Sequence, residues 1–310
     1  MKQPALSIVI ANYNYGRFLE EAIQSIVSQI GEGKDQVKPG EVELIIIDGG
    51  STDNSVDVIK KYAGGEVVVG SRSRTVESPI SYWVSEPDKG QSDAFNKGFT
   101  MARGRYLTWV NADDIMPRGC IKRIVSEFKL HPTCEWFTGN FLRFVEETGL
   151  VSEIGWGPHL YPKWMQKANS PIVVFGPSSF FAKNLFDRLG GVDVNCHFAM
   201  DTDLWIRFMA AGVKQRRINC FCWAFRMHEG SKTAEFFGHA LEASDKERFR
   251  DEVRRIYEKS CYSTSKRWYR LLLLWRMIDG SLLKRFILQS NLLGTSIEKI
   301  GVRNASGGVI

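Results

Sequence analysis

Leu6-Ser7-Ile8-Val9-Ile10-Ala11-Asn12-Tyr13-Asn14 is a short apolar run, rich in β-branched residues, that stops on two amides and a tyrosine. Its apolar part, 6–11, reads as a buried strand. Downstream, Phe18, Ala22, Ile26 and Val27 fall at helical spacing and predict a helix over 17–29. A polar, glycine-containing loop follows at 31–40, then a second buried strand at 42–47. Ser51-Thr52-Asp53 supplies capping side chains for a helix starting near Asn54. A strand at 80–84, a helix at 91–101 and a strand at 106–110 continue the alternation. Continuous apolar strands separated by helices predict an α/β fold, with a mostly parallel, Rossmann-like sheet flanked by helices.

Ligands of open α/β sheets bind beyond the carboxyl ends of the strands. Here the first strand ends in Ala11-Asn12-Tyr13-Asn14 and the second in Asp48-Gly49-Gly50-Ser51-Thr52-Asp53. The third leads into Ser85-Glu86-Pro87-Asp88-Lys89-Gly90-Gln91, and the fourth ends in Asn111-Ala112-Asp113-Asp114. Any one of these could be a helix cap; four in succession deliver carboxylates, amides and glycine turns to one edge. Asp113-Asp114 pairs two like charges after an apolar strand. Either a divalent cation with phosphate co-ligands balances them, or they favour a helix N-terminus before Pro117. The middle, 115–230, is less regular, with a helix at 118–130, a strand or hairpin at 136–145, loops rich in Trp and Pro at 156–177, and an amphipathic helix at 201–211 stopped by Gly212.

In the order and spacing of these motifs the chain resembles glycosyltransferase family 2, whose members have the GT-A fold. The resemblance runs from Ser7 through Asp48-Gly49-Gly50-Ser51-Thr52-Asp53, Glu86-Pro87-Asp88-Lys89-Gly90-Gln91, Asn96-Lys97-Gly98, Asn111-Ala112-Asp113-Asp114, Gly190-Gly191-Val192-Asp193 and Met200-Asp201-Thr202-Asp203-Leu204-Trp205 to Arg226-Met227-His228-Glu229-Gly230-Ser231-Lys232-Thr233. It implies that Asp48 accepts a hydrogen bond from a nucleotide base, with Ala11, Asn12 and Tyr13 forming the rest of the base pocket. Asp93 and Lys97, one helical turn apart, face the nucleotide or the fourth strand; Lys97 approaches the diphosphate or pairs with Asp93. Asn111, Asp113 and Asp114 match the metal-and-ribose motif, with Asn111 where aspartate is usual and Asp113 as metal ligand. Arg226 and His228 match a segment closing over the diphosphate, His228 ligating metal or holding a phosphate oxygen. Asp201 matches the catalytic base, with Met200 where glutamate is usual; it also suits a helix N-cap. Gly176-Pro177-Ser178-Ser179-Phe180 is expected to shape the acceptor site.

The implied reaction moves a sugar from a nucleoside-diphosphate sugar to a hydroxyl of a saccharide or lipid-linked saccharide, with inversion and with Mn²⁺ or Mg²⁺. Cell-surface polysaccharide or glycolipid synthesis is the implied setting, as for bacterial-type sugar transferases. A sugar-nucleotide pyrophosphorylase would need a glycine-rich, basic loop after the first strand, and Ala11-Asn12-Tyr13-Asn14-Tyr15 offers neither. A non-catalytic protein holding nucleic acid on its basic tail has no use for Asp48, Asp113 and Asp201, so no nucleic-acid partner is expected.

The 310 residues are 44% hydrophobic and 25% charged, ample for a large core, with a net charge of +6. The resemblance ends near residue 235, which divides the chain into a GT-A domain at 1–235 and a helical, basic extension at 236–310. In the extension Leu271, Leu274, Trp275, Ile278, Leu282 and Phe286 share a helical stripe flanked by Lys266, Arg267, Arg270, Arg276, Lys284 and Arg285. That stripe either packs on the catalytic domain or makes peripheral membrane contact. No leader is expected before the first strand and no stretch of about 18 uncharged apolar residues occurs, so the expected location is cytoplasmic, at the cytoplasmic face of a membrane if the stripe docks. The six cysteines are expected to be reduced, and His131, His159, His197 and His239 to be structural or surface residues.

Overall fold

A computed structural model describes residues 3–69, 72–76, 79–162, 164, 173–230, 243–260 and 266–302. The strands are β1 (Leu6–Asn12), β2 (Val42–Asp48), β3 (Gly65–Val69), β4 (Arg72–Val76), β5 (Tyr82–Ser85), β6 (Tyr106–Asn111), β7 (Trp136–Val145), β8 (Leu150–Gly155), β9 (Ser179–Ala182) and β10 (Gln215–Met227). The helices are α1 (Gly16–Val27), α2 (Ser55–Tyr62), α3 (Gln91–Met101), α4 (Cys120–Leu130), α5 (Lys183–Arg188), α6 (Met200–Ala210), α7 (Ala243–Ser260), α8 (Lys266–Ile278) and α9 (Ser281–Leu292).

The main sheet runs β5-β2-β1-β6-β9-β7-β10, with β8 added to β7 and β3-β4 forming a separate hairpin. β5, β2, β1 and β6 are mutually parallel, and β10 is parallel to β7. β9 runs antiparallel between β6 and β7 and joins the two halves. β2 is buried along its whole length because helices cover both faces, which is why it reads as an unbroken apolar run. On one face α3 approaches β1 so closely that a Cβ at Gly98 would lie 2.4 Å from Val9 Cγ1. The expected α/β architecture with a helical extension is present; β8, β9, β10 and the β3-β4 hairpin are additions to the sequence reading.

The border expected at residue 235 lies outside the described residues. Beyond it the extension does not stand apart. Ile256 of α7 belongs to the main core, with Phe249 and Val253 packed against it. Leu288 and Leu292 of α9 close a second, smaller cluster built on Leu142, Phe144, Val151 and Ile154. Among the described residues no helix is long and apolar enough to cross a membrane. The five described cysteines are free thiols, and Cys220 Sγ and Cys222 Sγ are 3.5 Å apart, far beyond an S–S bond.

Candidate active site

Parallel register brings four strand ends level. Asn12 pairs with Asp48, Asp48 with Ser85, and Ala11 with Asn111. Above this edge opens a cleft of about 880 Å³. Asp48 is fully buried beneath it and does not line it. Its Oδ1 accepts Asn12 Nδ2 and Ser51 Oγ, each at 2.6 Å, and its Oδ2 accepts Ser51 N at 2.9 Å and Ser85 Oγ at 2.6 Å. Burial pushes its pKa up, but the donors from Ser51, Ser85 and Asn12 outweigh burial and hold it below the usual carboxylate value. A carboxylate offers about four lone-pair sites, and all are taken. The expectation that Asp48 meets a base is therefore corrected: it braces the Gly49-Gly50 turn.

The carboxylate on that wall of the cleft is Asp88. A Cβ at Gly49 would lie 2.7 Å from Asp88 Oδ2 and 3.3 Å from the Tyr13 ring, so Asp88 fills the space that a side chain at 49 would take. Asp88 Oδ1 accepts Gly90 N–H at 2.8 Å. Tyr13 stands beside it, 59% exposed. Asp93 and Lys97 do not line the cleft. Asp93 accepts Lys89 N–H at 3.1 Å, and Lys97 Nζ meets Glu86 at 3.0 Å, Pro87 O at 3.3 Å and Asp93 at 3.8 Å. Of the alternatives left open for Lys97, the ion pair is the one formed, and the pair shapes the 86–90 loop from behind.

Asn111 and Asp113 reach the cleft, but Asp114 does not. Asp114 is completely buried, accepting Asn111 Nδ2 at 2.7 Å and the backbone N–H of Arg226 at 3.0 Å. Burial, reinforced by the charge of Asp113, raises its pKa well above the ordinary value. Asp114 thus ties β6 to β10, correcting its expected nucleotide contact. Arg226 is corrected likewise. Its guanidinium is fully buried between the Phe18 and Phe144 rings, 4.8 and 5.1 Å from their centroids. It pairs with Glu146, with Glu21 at 2.5 Å, and with Asp113 O at 2.6 Å, and it does not line the cleft. His228 packs edge-on to Tyr15, and its Nε2 lies 3.1 Å from Asp113 Oδ2.

Across the cleft, α6 carries Asp201 to the opposite wall. Trp205, one turn on, is stacked between Trp109 and Trp136 at centroid distances of 5.7 and 5.6 Å, which locks the helix to the sheet. Asp201 Oδ1 accepts Thr202 N–H at 2.6 Å. Burial pushes its pKa up and outweighs the Thr202 bonds that lower it. Asp203 points away, 4% exposed, and is held by Arg207 Nε at 2.7 Å. Glu252 of α7 was not foreseen from sequence. Its carboxylate accepts the backbone N–H groups of His197 and Phe198 at 2.9 Å and of Ala199 at 2.6 Å, clamping the loop that leads into α6.

Of the residues singled out from sequence, Ala11, Asn12, Tyr13, Asn111, Asp113 and Asp201 line the cleft, while Asp48, Asp93, Lys97, Asp114, Arg226 and His228 do not. Asp88, Gln91, His197, Trp223, Phe225 and Phe249 also line it. Asp88 and Gln91 sat inside a quoted motif; Phe249, beyond residue 235, carried no sequence signal.

The sequence profile described as Glycosyl transferase family 2 matches residues 7–181, more than half of the chain. The chain belongs to glycosyl transferase family 2. An uncharacterized glycosyltransferase of Nostoc is 34% identical over 124 residues, covering 40% of this chain and 33% of its own length, so the chain spans about a third of that relative. An Escherichia coli UDP-Glc:alpha-D-GlcNAc-diphosphoundecaprenol beta-1,3-glucosyltransferase is 24% identical over 77% of this chain and 84% of its own. The crystal structure of Staphylococcus aureus TarS 1-349 with UDP-GlcNAc superposes with a TM-score of 0.55 at 13% identity, covering 96% of this chain and 76% of the other. A Pyrobaculum calidifontis mannosyltransferase with GDP-Man and Mn²⁺ gives 0.54 at 13% identity, covering 94% and 76%. The fold is the GT-A fold.

Asp113 at the cleft, with His228 directly behind it, is the pair whose atoms suit a divalent cation. His228 Nδ1 donates to Glu229 O at 2.7 Å, which leaves the Nε2 lone pair against the Asp113 carboxylate. Two acceptors so close are reconciled by a shared proton or by a cation. Among the described residues no third His, Cys, Asp or Glu completes a cluster. Two protein ligands plus phosphate oxygens is the pattern of a Mg²⁺ or Mn²⁺ site rather than of an all-protein cage.

Proposed function

We propose that this family 2 chain is an inverting transferase that moves a sugar from a nucleoside-diphosphate sugar to a hydroxyl of a saccharide or lipid-linked saccharide. The observation that carries the reading is one cleft with Asp113 and the Tyr13–Asp88 wall on one side and Asp201 on the other. The base stacks on Tyr13, and Asp88 Oδ2 accepts a base N–H. Only one oxygen is open, which suits the single imide N–H of uracil. Asp201 takes the acceptor's proton as its oxygen attacks the anomeric carbon, and single displacement inverts the configuration. Asp113 and His228 would hold Mn²⁺ or Mg²⁺, which neutralises charge developing on the departing diphosphate.

The test is release of nucleoside diphosphate from a panel of nucleotide sugars in the presence of Mn²⁺. UDP-sugars are expected to turn over. Asp88→Asn replaces the accepting oxygen by an amide that also donates, and should raise donor KM about 10-fold or more, the worth of one charge-assisted hydrogen bond. Unchanged donor KM in Asp88→Asn removes Asp88 from base recognition, and no turnover with any nucleotide sugar removes the transferase reading.

The proposed location is the cytoplasmic face of a membrane. Of the stripe read from sequence, Trp275 turns inward to donate to Leu160 O at 3.0 Å, whereas Leu274, Ile278 and Phe286 are 56, 76 and 67% exposed. Leu273, Met277 and Leu283 extend this apolar face, flanked by Arg267, Arg270 and Lys284. Full-length protein should float with vesicles containing phosphatidylglycerol, and Leu274→Glu/Ile278→Glu should stay at the bottom of the gradient. Equal flotation of the two rules out docking through this face. Point changes are preferred to truncation, since α9 also closes the second core cluster.

A further inference from the structure

Arg217 of β10 is 7% exposed, and its Nε, Nη1 and Nη2 all lack a hydrogen-bond partner. The guanidinium lies over Gly157, 2.8 Å from where a side chain at that residue would begin, and 5.5 Å from the Phe175 ring centroid. From α8, Arg276 reaches the neighbouring residue, donating to Trp156 O at 2.5 Å, while its Nε is buried and unpaired. Arg285 of α9 also has a buried, unpaired Nε. Arg276 feels the charges of both Arg285 and Arg217, and burial lowers the pKa of Arg276 and of Arg217. No carboxylate bonds to any of the three among the described residues. Asp279, the acidic group near Arg276, accepts the N–H of His159 at 2.9 Å and of Ser281 at 2.8 Å instead. Tyr161 is the nearby polar side chain that acts on Arg217, and its hydroxyl donates to Val173 O at 2.7 Å.

Among the described residues, one buried and two half-buried guanidinium groups gather here with only Asp279, already bonded to two backbone N–H groups, as a nearby counter-charge, which is unfavourable. The cluster needs an anion with several acceptor oxygens, and forked guanidinium donors match phosphate. Its place in the fold says which phosphate. Phe175 precedes Gly176, which lines the cleft 3.8 Å, at its would-be Cβ, from Asp201 Oδ2. Phe175 also packs on Phe141, which packs on Trp223 of the cleft wall. Arg217 therefore lies behind the Phe175-Gly176 segment that borders Asp201. The helices that supply Arg276 and Arg285 also carry the exposed apolar face of Leu274, Ile278 and Phe286.

We propose that Arg217, Arg276 and Arg285 form an anion site for the phosphate or diphosphate that joins the acceptor saccharide to its lipid carrier. The site rests on the acceptor reading above and gives it a chemistry: a lipid-linked diphosphate held at headgroup level, with its sugar directed to Asp201.

The test uses the full chain in EDTA, without donor, and reads thermal stability with inorganic pyrophosphate, with a short-chain lipid diphosphate, and with phosphatidylglycerol vesicles. Pyrophosphate and the lipid diphosphate should each raise Tm, the lipid form more, and the vesicles should not reproduce that gain. Arg217→Met removes an unpaired buried charge at similar volume. It should therefore raise Tm in anion-free buffer and lose the pyrophosphate gain, whereas an arginine with a merely structural role would lower Tm when replaced. In transfer assays, Arg217→Met should raise KM for a diphosphate-linked acceptor about 10-fold relative to KM for the same saccharide on a neutral glycoside. A pyrophosphate gain retained in Arg217→Met, or none in the wild type, overturns the site. Loss of that gain in a protein that turns over no nucleotide sugar would sink the transferase reading and leave the anion site standing.

Discussion

With Asp201 as the proposed base, Asp201→Asn is expected to lower kcat by about 10²–10⁴-fold, the usual contribution of a general base, and to leave nucleotide affinity essentially unchanged. That corresponds to about 3–5 kcal/mol of transition-state stabilisation. Asparagine keeps the size of the side chain and can still accept Thr202 N–H at 2.6 Å, so the helix start survives while the basic oxygen is lost. The pH dependence follows from burial, which holds the Asp201 pKa above the ordinary value. The base works only when ionised, so activity falls as pH falls through that raised pKa. The acid limb of the wild-type profile should sit at higher pH than for an exposed aspartate, and the residual activity of Asp201→Asn should lack it. Asp203→Asn is the control on the same helix. It breaks the bond to Arg207, which also anchors Leu189 O and Gly191 O at 2.7 Å, so it should lower Tm while the folded protein keeps its kcat. A dead Asp203→Asn beside a normal Asp201→Asn reverses the assignment.

Excess chelator is expected to abolish transfer, and Mn²⁺ or Mg²⁺ to restore it. A cation at a developing diphosphate charge contributes several kcal/mol, so the loss should exceed about 100-fold. Asp113→Asn should need far more metal for half-maximal rate, because it removes the one carboxylate of the pair. Asp114→Asn should behave differently, since Asp114 is buried and bonded to Asn111 and Arg226 rather than exposed to the cleft. It is expected to cost stability more than metal affinity. Full activity in chelator removes the cation from the mechanism and leaves Asp113 and His228 as a hydrogen-bonded pair.

The sequence was most legible where a residue's role follows from its position on a strand. Asn12, Asn111 and Asp113 reach the cleft because parallel strands end together, and the apolar runs that mark those strands are local features. Asp201 was legible because a helix start and a motif coincide there. Asp48, Asp114 and Arg226 misled because a polar residue at a strand end serves a ligand or a neighbouring backbone equally well, and local pattern does not separate the two. Asp48 meets Ser51 and Ser85, and Arg226 meets Glu21, Glu146 and two aromatic rings, from elements far away in the chain.

What the sequence by itself determined is the α/β class, the order of the first strands and helices, and the edge on which chemistry gathers, all consequences of short-range periodicity. Only the tertiary structure decided which carboxylates face the cleft, that β9 runs antiparallel to join two halves of one sheet, and that the C-terminal extension completes the site. Glu252 clamps the loop before Asp201 across more than fifty residues of chain, and Arg217, Arg276 and Arg285, distant in sequence, each keep a buried nitrogen without a hydrogen bond. Such contacts depend on packing between remote segments, and residue spacing along the chain carries no record of them.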